Sequence, residues 1–100
     1  MNIAAFNASL TAARPPSGLS PPLEALWWAG KDQWATAHEI AQAHDDRDAA
    51  WVHAYLHRVE GDADNAAYWY RRAARPPGTG SLPAEWTAIV GALLAGDRKA

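Results

Sequence analysis

All seven prolines of this 100-residue chain fall in two short stretches, and these decide where regular structure can run. One is Pro15-Pro16-Ser17-Gly18-Leu19-Ser20-Pro21-Pro22; the other is Pro76-Pro77-Gly78-Thr79-Gly80-Ser81-Leu82-Pro83. Proline lacks an amide proton and restrains the residue before it, so both stretches should be extended or turned. Elsewhere alanine supplies 24 residues, against 6 for Val and Ile together. Alanine is the best helix former and β-branched residues carry strands, so the chain between the breaks reads as helix. The expected organisation is a short N-terminal segment with its linker (1–22), a helical domain (23–96) and a tail (97–100).

Local signals divide the helical part. A first helix is expected over 23–31, closing near Gly30. Asp32 is placed to cap a second, in which Trp34, Ala37, Ile40 and Ala41 recur at the spacing of a buried stripe. His44-Asp45-Asp46 ends it. A third runs from about 47 to 60 and stops at Gly61, which tolerates the positive φ of a C-terminal cap. Asp62 caps a fourth, with Asp64 in the first turn where the helix dipole favours anions. A last helix is expected over 83–95, started by Ser81 or Leu82 and stopped by Gly96. Ile3, Phe6 and Leu10 give the N-terminal segment a short helical face that packs on the body.

Composition removes several function classes. The formal charge of −2 offers no basic field for nucleic acid or an anionic membrane. The absence of cysteine removes disulfides, thiolate nucleophiles and Cys-based zinc sites. No window approaches ~18 uninterrupted apolar residues, so no membrane span is expected. The start, MNIAAFNASLTAARPP, has no basic region followed by a continuous apolar stretch, so no signal peptide is read and a cytoplasmic location is expected. Gly78-Thr79-Gly80 is a linker, because no Lys-Ser/Thr follows it. No cofactor is implied.

The third helix carries the most pointed pattern. At 100° per residue, Trp51, Val52, Tyr55, Leu56 and Val59 form one apolar arc. His53, His57 and Glu60 gather on the opposite side. Two imidazoles one turn apart can share a metal ion, with an oxygen from Glu60 and a further nitrogen from His38. The simpler account makes His53 and His57 half-buried hydrogen-bonding residues where two helix pairs meet. No Ser or Lys nucleophile converges with them, which weighs against hydrolytic chemistry. On the fourth helix, Tyr68, Arg71, Arg72 and Arg75 share the outer arc. Arginine forks bind phosphates and carboxylates bidentately, so this stripe could suit an acidic partner, but a solvated face, with Arg71 and Arg75 near the helix C-terminus where cations are favoured, is the simpler account. Trp34, Trp51, Trp69 and Trp86 lie on apolar arcs and fill volume beside the alanines. Adjacent Trp27 and Trp28 cannot both be buried on one narrow face, so one should approach the surface.

A faint internal repeat appears at a shift of 29 residues, which lays 34–37 on 63–66 with Ala37 on Ala66. The stretch AWVHAYLHRVEGDADNAAYWYRRAARPP from Ala50 to Pro77 resembles a tetratricopeptide repeat, through Gly61-Asp62, Ala66, Tyr70, Ala73 and Pro76-Pro77. Ala63 stands where the family places an aromatic, and Lys31-Asp32 replaces Gly-Asp in the preceding pair. Residues 23–95 are also similar to small proteins built around WVHAYLHRVEGD…NAAYWYRRA, a resemblance that brings no activity. The tetratricopeptide resemblance implies an all-α fold of antiparallel helix pairs, stacked as a short right-handed array with a C-terminal capping helix. It also implies a binding or assembly module rather than an enzyme, with a protein or peptide partner. In such arrays the first helix of each pair faces the groove, which assigns His53, His57, Arg58 and Glu60 to ligand contact. Uncovered end helices would favour a homo-oligomer. The alternative is a His-centred metal-binding or hydrolytic site.

Overall fold

The computed structural model describes residues 1–97, and the part of the expected tail at 98–100 lies outside them. Six helices follow one another: α1 (Ile3–Ser9), α2 (Pro21–Gly30), α3 (Trp34–Gln42), α4 (Arg47–Val59), α5 (Ala63–Ala73) and α6 (Leu82–Asp97). No strand occurs among the described residues. The class expected from the alanine content is therefore the one observed.

Side-chain caps set several of the boundaries. Asn2, Asp46 and Asp62 each accept a backbone N–H from the first turn of α1, α4 and α5. Such caps satisfy donors that the helix itself leaves unpaired. Ser81 Oγ accepts from the Ala84 amide at the start of α6. Gly61, at φ 85°, turns the chain between α4 and α5. Three expected boundaries differ. Pro21 and Pro22, expected in the extended stretch, open α2, where a missing amide proton costs the first turn nothing. Gln33, not Asp32, holds the cap position of α3, while Asp32 sits in the left-handed region at φ 59°. Gly96 does not end α6, which continues to Asp97. A single glycine costs a helix about 1 kcal/mol without terminating it.

The helices α2 and α3 form one antiparallel hairpin, and α4 and α5 form a second with the more extensive seam. Both α2 and α3 also pack against α4. The last helix turns back over α2 and α4 and does not extend the row beyond α5, and α1 rests on α6. This makes α4 the centre of the molecule, touched by α2, α3, α5 and α6.

The main core follows from that arrangement. Leu23, Leu26 and Trp27 of α2 meet Val52 and Leu56 of α4, Ile89 and Val90 of α6, and Phe6 of α1, all fully buried. Each large apolar side chain so placed stabilises the fold by roughly 1.5–3 kcal/mol. Of the adjacent tryptophans, Trp27 is the buried one and Trp28 is half-buried. Trp34, Trp51, Trp69 and Trp86 are half-buried rather than central. The N-terminal segment joins the same core: Trp27 Nε1 donates to Ser9 Oγ at 3.0 Å, and Lys31 Nζ donates to the carbonyls of Leu10 and Ala12. A smaller cluster of Ala54, Ala66 and Tyr70 closes the α4–α5 seam. None of the described helices is long and apolar enough to cross a membrane.

Candidate functional site

Because α4 is central, its second face is covered as well as its first. His53 and His57 are only 4% and 8% exposed. They face α3, where His38 completes a cluster of three imidazoles. His53 Nε2 and His38 Nε2 lie 3.0 Å apart. The rings of His53 and His57 stack at 4.8 Å, and His38 stands edge-on to both, at 4.7 Å and 5.3 Å. Each ring offers one nitrogen within 4.8 Å of the other two.

Two tryptophans wall this cluster. Trp34, one turn before His38, stacks on it at 4.7 Å and 11°, and is fixed by donating Nε1–H to the Leu56 carbonyl. Trp69 of α5 stacks on His53 at 3.9 Å and 17°. On the outer side of Trp69 lies the Arg72 guanidinium, 5.2 Å from the ring centre, which also donates to the Tyr68 hydroxyl. The resulting order is Arg72, Trp69, His53, with His57 stacked beyond.

The third element is Glu60. Its carboxylate meets His57 Nδ1 at 2.6 Å, and among the described residues no hydrogen-bond partner engages His57 Nε2. A carboxylate on one nitrogen of an imidazole fixes the ring and its tautomer while leaving the other nitrogen for a ligand. Asp62 lies close enough to join His57 and Glu60 in a second candidate group. Its carboxylate is already committed to the Asn65 amide and side chain, which holds its pKa low.

Burial favours the neutral form of His38 and His53. Burial pulls the pKa of His53 down to about 4, and the neighbouring His38 and His57 push the same way. Burial also lowers that of His38, helped by His57 and opposed by Glu60. Unprotonated imidazole is the form that binds a metal ion. Among the described residues, His53 Nδ1 is buried without a hydrogen-bond partner. The least costly tautomer without a ligand puts the proton on His53 Nε2, donating to His38 Nε2 and leaving Nδ1 as a bare acceptor.

The other residues singled out in the sequence go elsewhere. Arg58 leaves the histidine face and pairs with Glu85 of α6 at 2.7 Å, with its second arm on the Gly80 carbonyl. Glu85 also accepts from the Tyr70 hydroxyl. Of the arginine stripe, Arg72 covers Trp69 while Arg75 turns to the opposite flank and lies 3.9 Å over Trp51. Arg71 and Tyr68 are exposed. The stripe is therefore divided between two flanks of α5.

Sequence reasoning found His38, His53, His57 and Glu60 but missed Trp34 and Trp69 as walls. The four-residue spacing of Trp34 and His38 was a usable signal, since such pairs meet on a helix face. The meeting of Trp69 with His53 depends on how α5 packs against α4 and has no counterpart in local spacing. Comparison with known proteins brings no family to this site: no family model, no curated protein and no solved structure matches the chain.

Proposed function

We propose that this protein binds one divalent transition-metal ion through His38, His53 and His57. The observation that carries the reading is the convergence of three imidazoles from two helices, one of them oriented by Glu60. A tetrahedral ion with Zn–N bonds of about 2.0–2.1 Å separates its ligand nitrogens by about 3.4 Å. The His38–His53 pair, at 3.0 Å, needs only to open slightly, while His57 closes in. Nitrogen ligands without sulfur suit zinc, copper, nickel or cobalt rather than magnesium or calcium. Trp34 and Trp69 keep the site apolar on its sides.

Titration with Co(II), followed by its visible absorption, tests the reading, together with thermal unfolding in Zn(II) and in EDTA. An ion that binds only the folded state stabilises it by about 2.7 kcal/mol at 100 times Kd. For a chain of this length that raises Tm on the order of 10 °C or more. His53→Ala combined with His57→Ala should abolish both signals, and Glu60→Gln should weaken them. Absence of a Co(II) spectrum and of any zinc-dependent Tm rise in the wild type would overturn the proposal.

A second reading is favoured by the order of helix contacts. The hairpins α2–α3 and α4–α5 lie side by side, with α4 meeting both helices of the preceding pair, as successive units of a tetratricopeptide-like array do. It makes the protein a cytoplasmic module for a protein or peptide, or for a second copy of itself. Sedimentation equilibrium and pull-down with a His53/His57/Glu60 triple-alanine variant test it. A concentration-independent monomer with an unchanged partner list would reject it.

A further inference from the structure

On the flank of α4 away from the histidines, a cavity of about 550 Å³ opens between α2, α4 and α6. That volume is in the middle of the range for small-molecule sites. Its walls include Trp34, Tyr55 and Trp86, together with Leu10 and Leu82. Two of these aromatics have already spent their polar atoms: Trp34 Nε1 donates to the Leu56 carbonyl and Trp86 Nε1 to the Leu26 carbonyl. They present ring surface only. Tyr55 is 7% exposed, and its hydroxyl makes no hydrogen bond among the described residues yet is not sealed from solvent. It is a polar handle left over inside an aromatic cavity.

Asp32 is the one charged residue lining this cavity. Among the described residues no Lys, Arg or His lies within ion-pairing distance of it. The adjacent Lys31 is drawn away, its ammonium held by the carbonyls of Leu10 and Ala12 and lying over Trp27. Arg58, three residues along α4 from Tyr55, is neutralised by Glu85. The left-handed backbone at Asp32 is uncommon for a side-chain-bearing residue and sets its position between α2 and α3. That the Asp32 charge is felt at Tyr55 follows from its part, with burial and Glu85, in raising the Tyr55 pKa.

We infer that this cavity is a binding site for a small organic cation, an amine or quaternary ammonium carried on an apolar or aromatic body. Aromatic faces attract cations through the ring quadrupole, and an unpaired carboxylate at the mouth supplies the counter-charge. The apolar body fills the space between Trp86, Leu10 and Leu82, and Tyr55 offers its hydroxyl to the ammonium. This site shares the Trp34 ring with the histidine cluster but needs none of the imidazoles.

The test uses 2-phenylethylammonium, with 2-phenylethanol as the neutral counterpart and benzyltrimethylammonium as the quaternary form. All are titrated in EDTA so that the metal site is silent. The readout is the shift of the Trp34 and Trp86 indole N–H signals, assigned by Trp→Phe replacement. Saturable shifts at both indoles are expected with the two cations, and binding at least about tenfold weaker with the alcohol. Asp32→Asn should remove that preference; asparagine tolerates a left-handed backbone well, so the variant keeps the fold. Equal binding of alcohol and amine, an unchanged preference in Asp32→Asn, or no saturable shift up to millimolar probe would overturn the inference. A failure of Co(II) binding leaves these outcomes untouched.

Discussion

Lowering the pH from 7 to 5 should destabilise this protein through His53 before its carboxylates are titrated. The folded state holds that imidazole at a pKa of about 4, against 6.5 for a free side chain. The gap is worth about 3 kcal/mol in full. Its sign follows from which state takes the proton first. As pH falls below 6.5 the unfolded chain protonates while the folded one stays neutral, so stability is complete above that value and declines toward pH 4. Between pH 7 and 5 the loss attributable to His53 is about 2 kcal/mol. Half-buried His38 lets water reach the rim of the cluster, which reduces the loss to about 1–2 kcal/mol. Both imidazoles neighbouring His53 oppose its protonation: His38 from α3 and His57 from its own helix. Urea unfolding in EDTA at pH 7 and 5 measures the effect. With a slope of about 1 kcal/mol per molar urea, the midpoint should fall by about 1–2 M. His53→Phe keeps the stack on Trp69 but does not titrate, so its midpoint should move much less. Equal pH dependence in wild type and His53→Phe would show that the proton goes elsewhere and refute the reasoning.

Two further outcomes test the packing that builds the sites. Ala66→Leu inserts three carbons where Ala54, Ala66 and Tyr70 close the α4–α5 seam, and overpacking there should cost roughly 1–3 kcal/mol by urea unfolding. A neutral result would mean that the seam is looser than its buried alanines indicate. Gly78→Ala would place a Cβ 2.5 Å from the Glu85 carboxyl, which Arg58 and Tyr70 hold from two sides. Displacing it should cost about 1 kcal/mol, and that cost should shrink in a Glu85→Ala background.

The parts of the fold that were legible in the sequence are those fixed by short-range chemistry. Asp46 and Asp62 cap helices because a carboxylate beside a free amide is a local event, and Gly61 turns the chain for an equally local reason. The return of α6 over α2 and α4 was not legible, because it depends on which apolar arc finds which partner. That single packing choice explains the misplaced residues. It draws Arg58 to Glu85 and away from His57, and it places Trp86 over Leu26 and Phe6. Helical periodicity put the histidines opposite the apolar arc, where an outer helix would leave them in water. Only the central position of α4 turns that second face into an interior.

The same position explains why the histidine cluster is more than a solvated edge. On α4, the flank toward α5 is lined by Ala54, which lets the backbones approach, whereas the flank toward α3 carries two buried imidazoles. A seam built for stability alone would fill that volume with aliphatic side chains, as the α2–α4 contact does with Leu26, Val52 and Leu56. Instead the chain retains three imidazoles there, with one hydrogen bond between His53 and His38, and with His53 Nδ1 buried and unpartnered among the described residues, which costs free energy. Stacking on Trp34 and Trp69 recovers part of that cost and holds the rings in place. Under the proposed function, a divalent ion would replace the single His38–His53 hydrogen bond by bonds to three imidazoles, with His57 oriented by Glu60. A buried polar cluster with an orphaned nitrogen is a local departure from the most stable packing, and such departures are where function is expected to reside.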